Sequence, residues 1–443
     1  MATRDHVDSD FNALSREVEC KLAIYFDETP IEVTSHDYIM QVSISEESSA
    51  ESTNPLGAVS ANELEITLLN QDGIFSPSNA SGTYYGKIKT GVKIIPYIRL
   101  LDSTDTLNWI QLGVFYVTEW NAVVTALTAS VYATDIMKDV LAGDSTDVQV
   151  VPSYTFKQFI EYYFSVLGYS MTADASLTDV IPFAYAESDI KGTLSDLACA
   201  AKAMCYSDRT GTIVANPVVT TRALRATLTD GDQIVSVSLK QSTLKTYDGV
   251  AFTYRYPQLS MNTNILEVDE LSIPNGAATF TPISFDKGPV AALSHVAFQT
   301  IDELVYISAF AYTPWQVTLT TQNDTGAALD TNLSAYGTLV EFTDIVLSDE
   351  TDNMLTYSNK YIQTETQAES YKAFLDAFVA SDIPTLDVQI RGNLLLELGD
   401  KITVQSTKYN LAFTGIIQRA KHTFAGSLST TLTLINADIM EAS

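Results

Sequence analysis

Basic residues are scarce in this chain of 443 residues: 25 Lys and Arg stand against 54 Asp and Glu, for a net charge of −29. Wrapping nucleic acid needs clustered cations that displace counterions from phosphates, and no such cluster exists: the grouping Arg222 to Arg225 holds only two. Tight nucleic-acid binding is therefore not expected, and the acidic surplus points to solubility and repulsion between like surfaces. Cysteine is rarer still. Cys20, Cys199 and Cys205 are too few and too scattered for a disulfide framework, and no histidine sits near them at metal spacing; they read as buried thiols. No apolar run approaches the roughly 18 residues that cross a bilayer, so membrane insertion is not expected. The polar start MATRDHVDSDFNALSREVE does not resemble a secretory signal, and with the odd cysteine count it suits folding in a reducing cytosol.

Catalytic motifs are also missing. His6, His36, His295 and His422 are the whole imidazole inventory, and none stands in H-E-x-x-H. There is no G-x-S-x-G elbow and no glycine-rich phosphate cradle. Carboxylates are so numerous that proximity in sequence singles out no acid–base pair. No catalytic residue, metal ligand or cofactor is expected. The 23 Tyr, 18 Phe and 3 Trp could face sugars, but they suit a β-sheet core and a subunit interface better.

What is abundant is apolar alternation. Hydrophobic residues make up 46% of the chain and charged residues 18%, a globular balance. Period-two patterning predicts strands over Cys20–Phe26, Tyr38–Ser45, Glu63–Leu69, Gly91–Leu101, Gly113–Trp120 and Ala122–Tyr132. Turn-forming clusters separate them at 52–57, 70–73 and 102–105. The period then becomes helical. In TFKQFIEYYFSVLG, Phe156, Phe159, Ile160, Tyr163, Phe164 and Leu167 share a face, with Thr155 and Gln158 at capping-box spacing and Gly168 as a stop. A second helix is expected in GTLSDLACAAKAMCYSDRTG, with a stripe of Leu194, Leu197, Ala198, Ala201 and Cys205 and a cap at Thr193 with Asp196. Strands resume over Ile234–Leu239 and Val250–Tyr256, and 265–345 is β-like throughout. A third helix is predicted over Thr364–Ala380, capped by Thr364 and Gln367. The strands Thr385–Arg391, Lys401–Gln405, Leu411–Ala420 and Ser429–Leu434 close the chain. No repeat of fixed period is visible.

Four segments, in this order, resemble the hub family of tailed-phage tails, known also from contractile injection machines. The first is NELEITLLNQDGIFSPSNASGTYYGKIKTGVKIIPYIRL, with Asn70, Asp72, Gly73, Phe75, Ser76 and Pro77 in an N-x-D-G-x-F-S-P turn, followed by Tyr84, Gly86 and Gly91. The second is the pair of helices with their following strand. The third, ending TLTTQNDTGAALDTNLSAYG, is similar to β insertions of tail proteins. The fourth runs from the Thr364 helix through IRGNLLLELGDKITVQS to FTGIIQRAKHTFAGSLSTTLTL. It carries Gly392, Leu396, Gly399, Asp400, Ile402 and Val404, then Gly415 and Gly426; Leu394 stands where the family often has proline. In Leu-Gly-Asp, Gly399 can take a positive φ and Asp400 can bond neighbouring amides.

The resemblance implies a mainly β fold with a small α+β domain: two antiparallel β-barrel hub domains of similar topology plus an inserted β domain. Boundaries are expected at 1–147 for the first barrel and 148–230 for the α+β domain. Residues 231–256 with 384–443 would form the second barrel, and 257–383 the insertion with its connecting helix. It further implies a homotrimer making a pseudo-hexameric ring in the virion, assembled in the host bacterial cytoplasm. That ring would lie between the tail tube or distal tail protein above and a spike, tip or fibre protein below, and let DNA pass, with acidic residues in excess on its inner face. The chain ends at Ser443, soon after the last strand, without the lytic extension of some relatives, so a structural role is expected. A tail-associated cell-wall hydrolase or carbohydrate-binding module is the alternative.

Overall fold

A computed structural model describes residues 5–11, 16–48, 56–101, 107–122, 127–143, 148, 150–186, 189–218, 223–230, 233–239, 247–299, 303–348 and 351–441. The expected turns at 52–57 and 102–105, part of the 122–132 strand and Arg222 fall outside them, wholly or in part. The fold is mainly β.

After a helical turn α1 (Asp8–Phe11), the strands are β1 (Glu17–Tyr25), β2 (Ile31–Thr34), β3 (Ile39–Glu47), β4 (Glu63–Leu69), β5 (Lys93–Leu101), β6 (Ile110–Gln111), β7 (Phe115–Ala122) and β8 (Thr128–Thr134). Alternation decides their faces. In β4, Leu64, Ile66 and Leu68 are buried while Glu63 and Glu65 are exposed, so one face seals a core shared with Leu22, Ile24, Ile44 and Ile94. Burying each such side chain contributes roughly 1.5–3 kcal/mol.

A small α+β region follows α2 (Met137–Leu141): β9 (Val151–Thr155), α3 (Phe156–Val166), β10 (Met171–Ala173), β11 (Val180–Ala184), α4 (Ile190–Ala200), β12 (Ala203–Ser207) and β13 (Ile213–Pro217). The α3 capping box is present, with Thr155 accepting from the Gln158 amide and the Gln158 side chain accepting from the Thr155 amide. Helix α4 departs from expectation. It starts at Ile190 after Asp189, which places Thr193 inside the helix and not at its cap. It ends before Lys202, whose φ is 48°, and Cys205 lies on β12. The apolar stripe thus mixed a helix face with a buried strand, a confusion periodicity alone does not resolve.

The rest comprises β14 (Leu224–Thr229), β15 (Ile234–Leu239), β16 (Gly249–Ile273), β17 (Gly276–Thr279), β18 (Ile283–Ser284), β19 (Val290–Phe298), β20 (Val305–Tyr312), β21 (Gln316–Asn323), β22 (Leu329–Ser348) and β23 (Met354–Asn359). Then come α5 (Glu365–Ala380), β24 (Thr385–Ile390), β25 (Lys401–Ser406), β26 (Leu411–Phe424), β27 (Leu428–Asn436) and α6 (Ala437–Glu441). Two differences from the expected division stand out. Val250–Tyr256, expected in the second barrel, belong to the 25-residue strand β16, which pairs with β22 and β23. Strand β14, expected in the α+β region, pairs with β25, and does so in parallel. Among the described residues, fourteen strands from both halves of the chain form one sheet, joined where β26 pairs with β3.

Candidate functional site

Six strands of the first half follow one another in that sheet as β1-β5-β7-β8-β4-β3, and six of the second half as β14-β25-β26-β27-β24-β15. Matched place by place, the two series keep the same chain order: β1 with β14, β3 with β15, β4 with β24, β5 with β25, β7 with β26 and β8 with β27. We refer to them as the first and second units. Their irregularities match as well. The register of β3 on β4 shifts between Ile39 and Gln41, and that of β15 on β24 between Ile234 and Ser236. The register of β7 on β8 shifts between Val117 and Glu119, and that of β26 on β27 between Ile417 and Arg419. Bulges bend strands at defined places, so coincidence at both is a strong mark of likeness.

The turn entering the fourth matched pair, β5 and β25, is also the same. Gly91, at φ 80°, donates its amide to the Val117 carbonyl at 2.7 Å, and the Val117 amide donates to the Val92 carbonyl at 2.9 Å. Gly399, at φ 83°, donates to the Ile417 carbonyl at 2.8 Å, and the Ile417 amide donates to the Asp400 carbonyl at 3.0 Å. A left-handed φ costs an ordinary L residue roughly 1–2 kcal/mol, which explains glycine at both places. Asp400 also accepts from the Glu397 amide at 3.0 Å, closing the Leu-Gly-Asp turn.

Where the units meet, a buried ionic cluster bridges them. Asp208 folds the turn after β12 by accepting from the amides of Thr210 and Thr212, each at 2.9 Å. That turn projects Arg209 into the joint. Its guanidinium donates to Glu46 of β3 at 2.7 and 3.1 Å, to the carbonyls of Leu394 and Leu396 at 2.5 and 3.1 Å, and to His422 Nε2 of β26 at 3.2 Å. The other ring nitrogen of His422 lies 2.9 Å from the Thr430 hydroxyl, a pattern that fits a neutral ring protonated on Nδ1. Burial alone would raise the Glu46 carboxyl, but the Arg209 guanidinium outweighs it and the carboxyl is brought down to about 2. Burial lowers the His422 pKa, against the pull of Glu46. The Glu397 carboxylate lies 3.4 Å from Arg209 with most of its side chain exposed. A small cleft beside this cluster is lined by Glu46, Tyr206, Asp208, Arg209 and Glu397.

The sequence motif residues fall mainly at turns around this frame. Asn70 is buried; it accepts from the Phe75 amide and donates to Ser76 Oγ, both at 2.9 Å. Phe75 is fully buried, 5.3 Å from the Tyr38 ring and 5.8 Å from Tyr84, and its carbonyl accepts from Trp120 Nε1. Asp72 and Pro77 are exposed. Gly73, Gly86 and Gly426 lie at turns with positive φ. A Cβ on Gly392 would stand 2.6 Å from Leu428, and one on Gly415 would stand 2.7 Å from the Ile435 carbonyl, so both are places of close approach. The sheet junction thus brings Gly392, Gly399, Asp400 and Gly415 into the second unit and the Asn70–Gly91 group into the first. Arg209, Glu46 and His422 carried no signal in the sequence, since 163 and 213 residues separate Arg209 from its two partners.

No protein-family model matches the sequence, and no curated protein matches it. Solved structures are. The 43 kDa tail protein of prophage MuSo2 from Shewanella oneidensis aligns over 95% of this chain and 99% of its own, with a TM-score of 0.53 at 12% identity. A tail protein from Neisseria meningitidis MC58 aligns over 96% of this chain and 98% of its own, with a TM-score of 0.53 at 8% identity. The tail-protein resemblance read from the sequence is matched at the level of the fold.

Proposed function

We propose that this chain is the structural hub of a phage tail tip or baseplate, three copies of which close a ring of six like units. The observation that carries this reading is the internal likeness of the two units, down to both bulges and the Gly91 and Gly399 turns. A chain holding two like units is the economical way to meet a sixfold tube on one side and a threefold spike, tip or fibre on the other. Assembly into the virion would take place in the host bacterial cytoplasm. The chain acts by shape and not by catalysis: the charge of Arg209 is met by Glu46, His422 and backbone carbonyls of the same chain.

The ring's channel is the path for DNA, and one face of the joined sheet suits it. Cross-strand partners share a face. Arg419 stands opposite Glu47 and Thr433, and Thr433 opposite Asp387. Lys421 stands opposite Ser45, and Ser45 opposite Glu63. Glu65 and Glu119 flank Tyr132 on the same face. Along β24, β27, β3, β4, β8 and the parts of β26 and β7 beyond their bulges, five carboxylates stand against two cations, with Lys93 and Lys401 further out on the same face; this middle of the sheet repels phosphates near contact, within a screening length of about 8 Å. Cryo-electron microscopy of assembled tails tests this reading: three copies forming a ring with this face inward are expected, and the chain found outside the tube axis, or as a lone peripheral domain, would contradict it.

A further inference from the structure

Within the chain, the outer edge of β3 is covered by the part of β26 that follows its bulge, in the pairs Arg419–Glu47, Ala420–Glu46, Lys421–Ser45, His422–Ile44, Thr423–Ser43 and Phe424–Val42. The part of β26 before the bulge pairs with β25 of its own unit. One strand therefore serves its own unit first and the other unit second. The matched strand β7 does the first of these things: Tyr116 and Phe115 pair with Lys93 and Ile94 of β5. Beyond its bulge, Glu119–Ala122 pair with β8 on one side, and no strand among the described residues takes the other side. The match of β3 in the second unit, β15, pairs with β24 and likewise has no strand on its outer edge among the described residues.

Exposure along β15 fits a missing neighbour. Through the matched registers Leu239 corresponds to Ile44, yet Leu239 is 51% exposed and Ile44 is 0%. Ser238 is exposed where Ser43 is buried, and Val237 is half-buried where Val42 is buried. An open edge with exposed aliphatic side chains invites strand addition.

We infer that the outer edge of β15 is the docking surface for β7 of a second copy of this chain, paired antiparallel as β3 is with β26. The inference rests on the ring reading above and gives it a closure rule. In each unit the β3-type edge meets the β7-type strand of the next, inside one chain at one joint and between chains at the following joint. Transposing the β26–β3 register places Ala122 of one chain opposite Leu239 of its neighbour, the one transposed pair with both members among the described residues. The contact is head-to-tail, so neither edge meets its own copy, and it forms a ring where the rotation from chain to chain returns to its start.

The test is a disulfide bridge. Ala122→Cys with Leu239→Cys, made together, would put two thiols across one antiparallel pair, within reach of a bond; the native Cys20, Cys199 and Cys205 are buried and do not compete. Mild oxidation should give species of two and three linked chains on a non-reducing gel, while each single variant gives none. Leu239→Lys should raise the concentration for half-assembly by about tenfold or more while leaving the thermal midpoint of the isolated chain in place. If native mass spectrometry of the unmodified protein shows three chains but the double variant stays unlinked, or Leu239→Lys assembles like the parent, the edge pairing is wrong and the ring stands. Single chains at every concentration would overturn both.

Discussion

The first and second units share strand order and irregularities but differ in what fills and covers them. The first adds to an aliphatic core of Leu22, Ile24, Ile44, Leu64, Ile66 and Ile94 an aromatic group at one side, Phe26, Tyr38, Phe75, Tyr84 and Trp120. The second encloses an aliphatic core of Leu386, Val388, Leu396, Ile402, Val404 and Leu432 with Phe413. The connection from β3 to β4 spans residues 48–62, whereas that from β15 to β24 holds the inserted strands β16–β23 and α5. The opening pair is antiparallel in one, β1 with β5, and parallel in the other, β14 with β25. What persists is backbone geometry at bulges and one turn; what changes is side-chain chemistry. Two units that must occupy alternate places in one ring need the same outline and can differ inside.

The joint between the units is where this comparison breaks most sharply. Arg209→Met leaves Glu46 buried without its partner and should cost about 3–5 kcal/mol, read as a lower midpoint in urea. Adding Glu46→Leu should recover much of it, and a double variant as weak as the single one would show that the cluster is not what couples the units.

Protonation probes the same joint. Glu46 is held down to about 2 and His422 is lowered, so both contribute stability at neutral pH. The His422 share begins to go as pH falls below its unfolded value near 6.5, and the Glu46 share goes as pH falls below about 4.5 toward 2. Asp135, at the end of β8 in the first unit, has the opposite sign. Burial raises its carboxyl to about 7, so its favourable protonated state is fully present below about 3.8 and is lost as pH rises through 7. Asp135→Asn should therefore exceed the parent by about 1–3 kcal/mol at pH 8 and lose that advantage near pH 4. Urea titrations at the two pH values check it, and an equal gap at both would refute it.

A smaller effect sharpens the likeness itself. Gly91→Ala and Gly399→Ala should each cost roughly 1–2 kcal/mol and agree within about 0.5 kcal/mol. Costs differing severalfold would mean that the two turns play different parts.

Much of the frame was legible because it is local. Strand β4 runs over Glu63–Leu69, as its alternation requires, and the Thr155–Gln158 box fixes the start of α3. Helix α4 was misplaced because the Leu194–Cys205 stripe continues from a helix into a buried strand. The likeness of the units was expected from the family resemblance, but the residues themselves scarcely show it. Its trace in sequence is little more than Gly-x-Lys-Ile, at Gly91–Ile94 and Gly399–Ile402, while the insertion between β15 and β24 removes any fixed period. The Arg209 cluster was invisible because its members are brought together by the joint alone.

The central claim, that one chain carries two like units which alternate around a ring, is tested most directly by cryo-electron microscopy of the purified assembly. The account predicts three chains, with first and second units superposing after a one-sixth turn about the axis and β7 beside β15 at each chain boundary. A ring of another order, or one in which the two units sit at different radii, would contradict it.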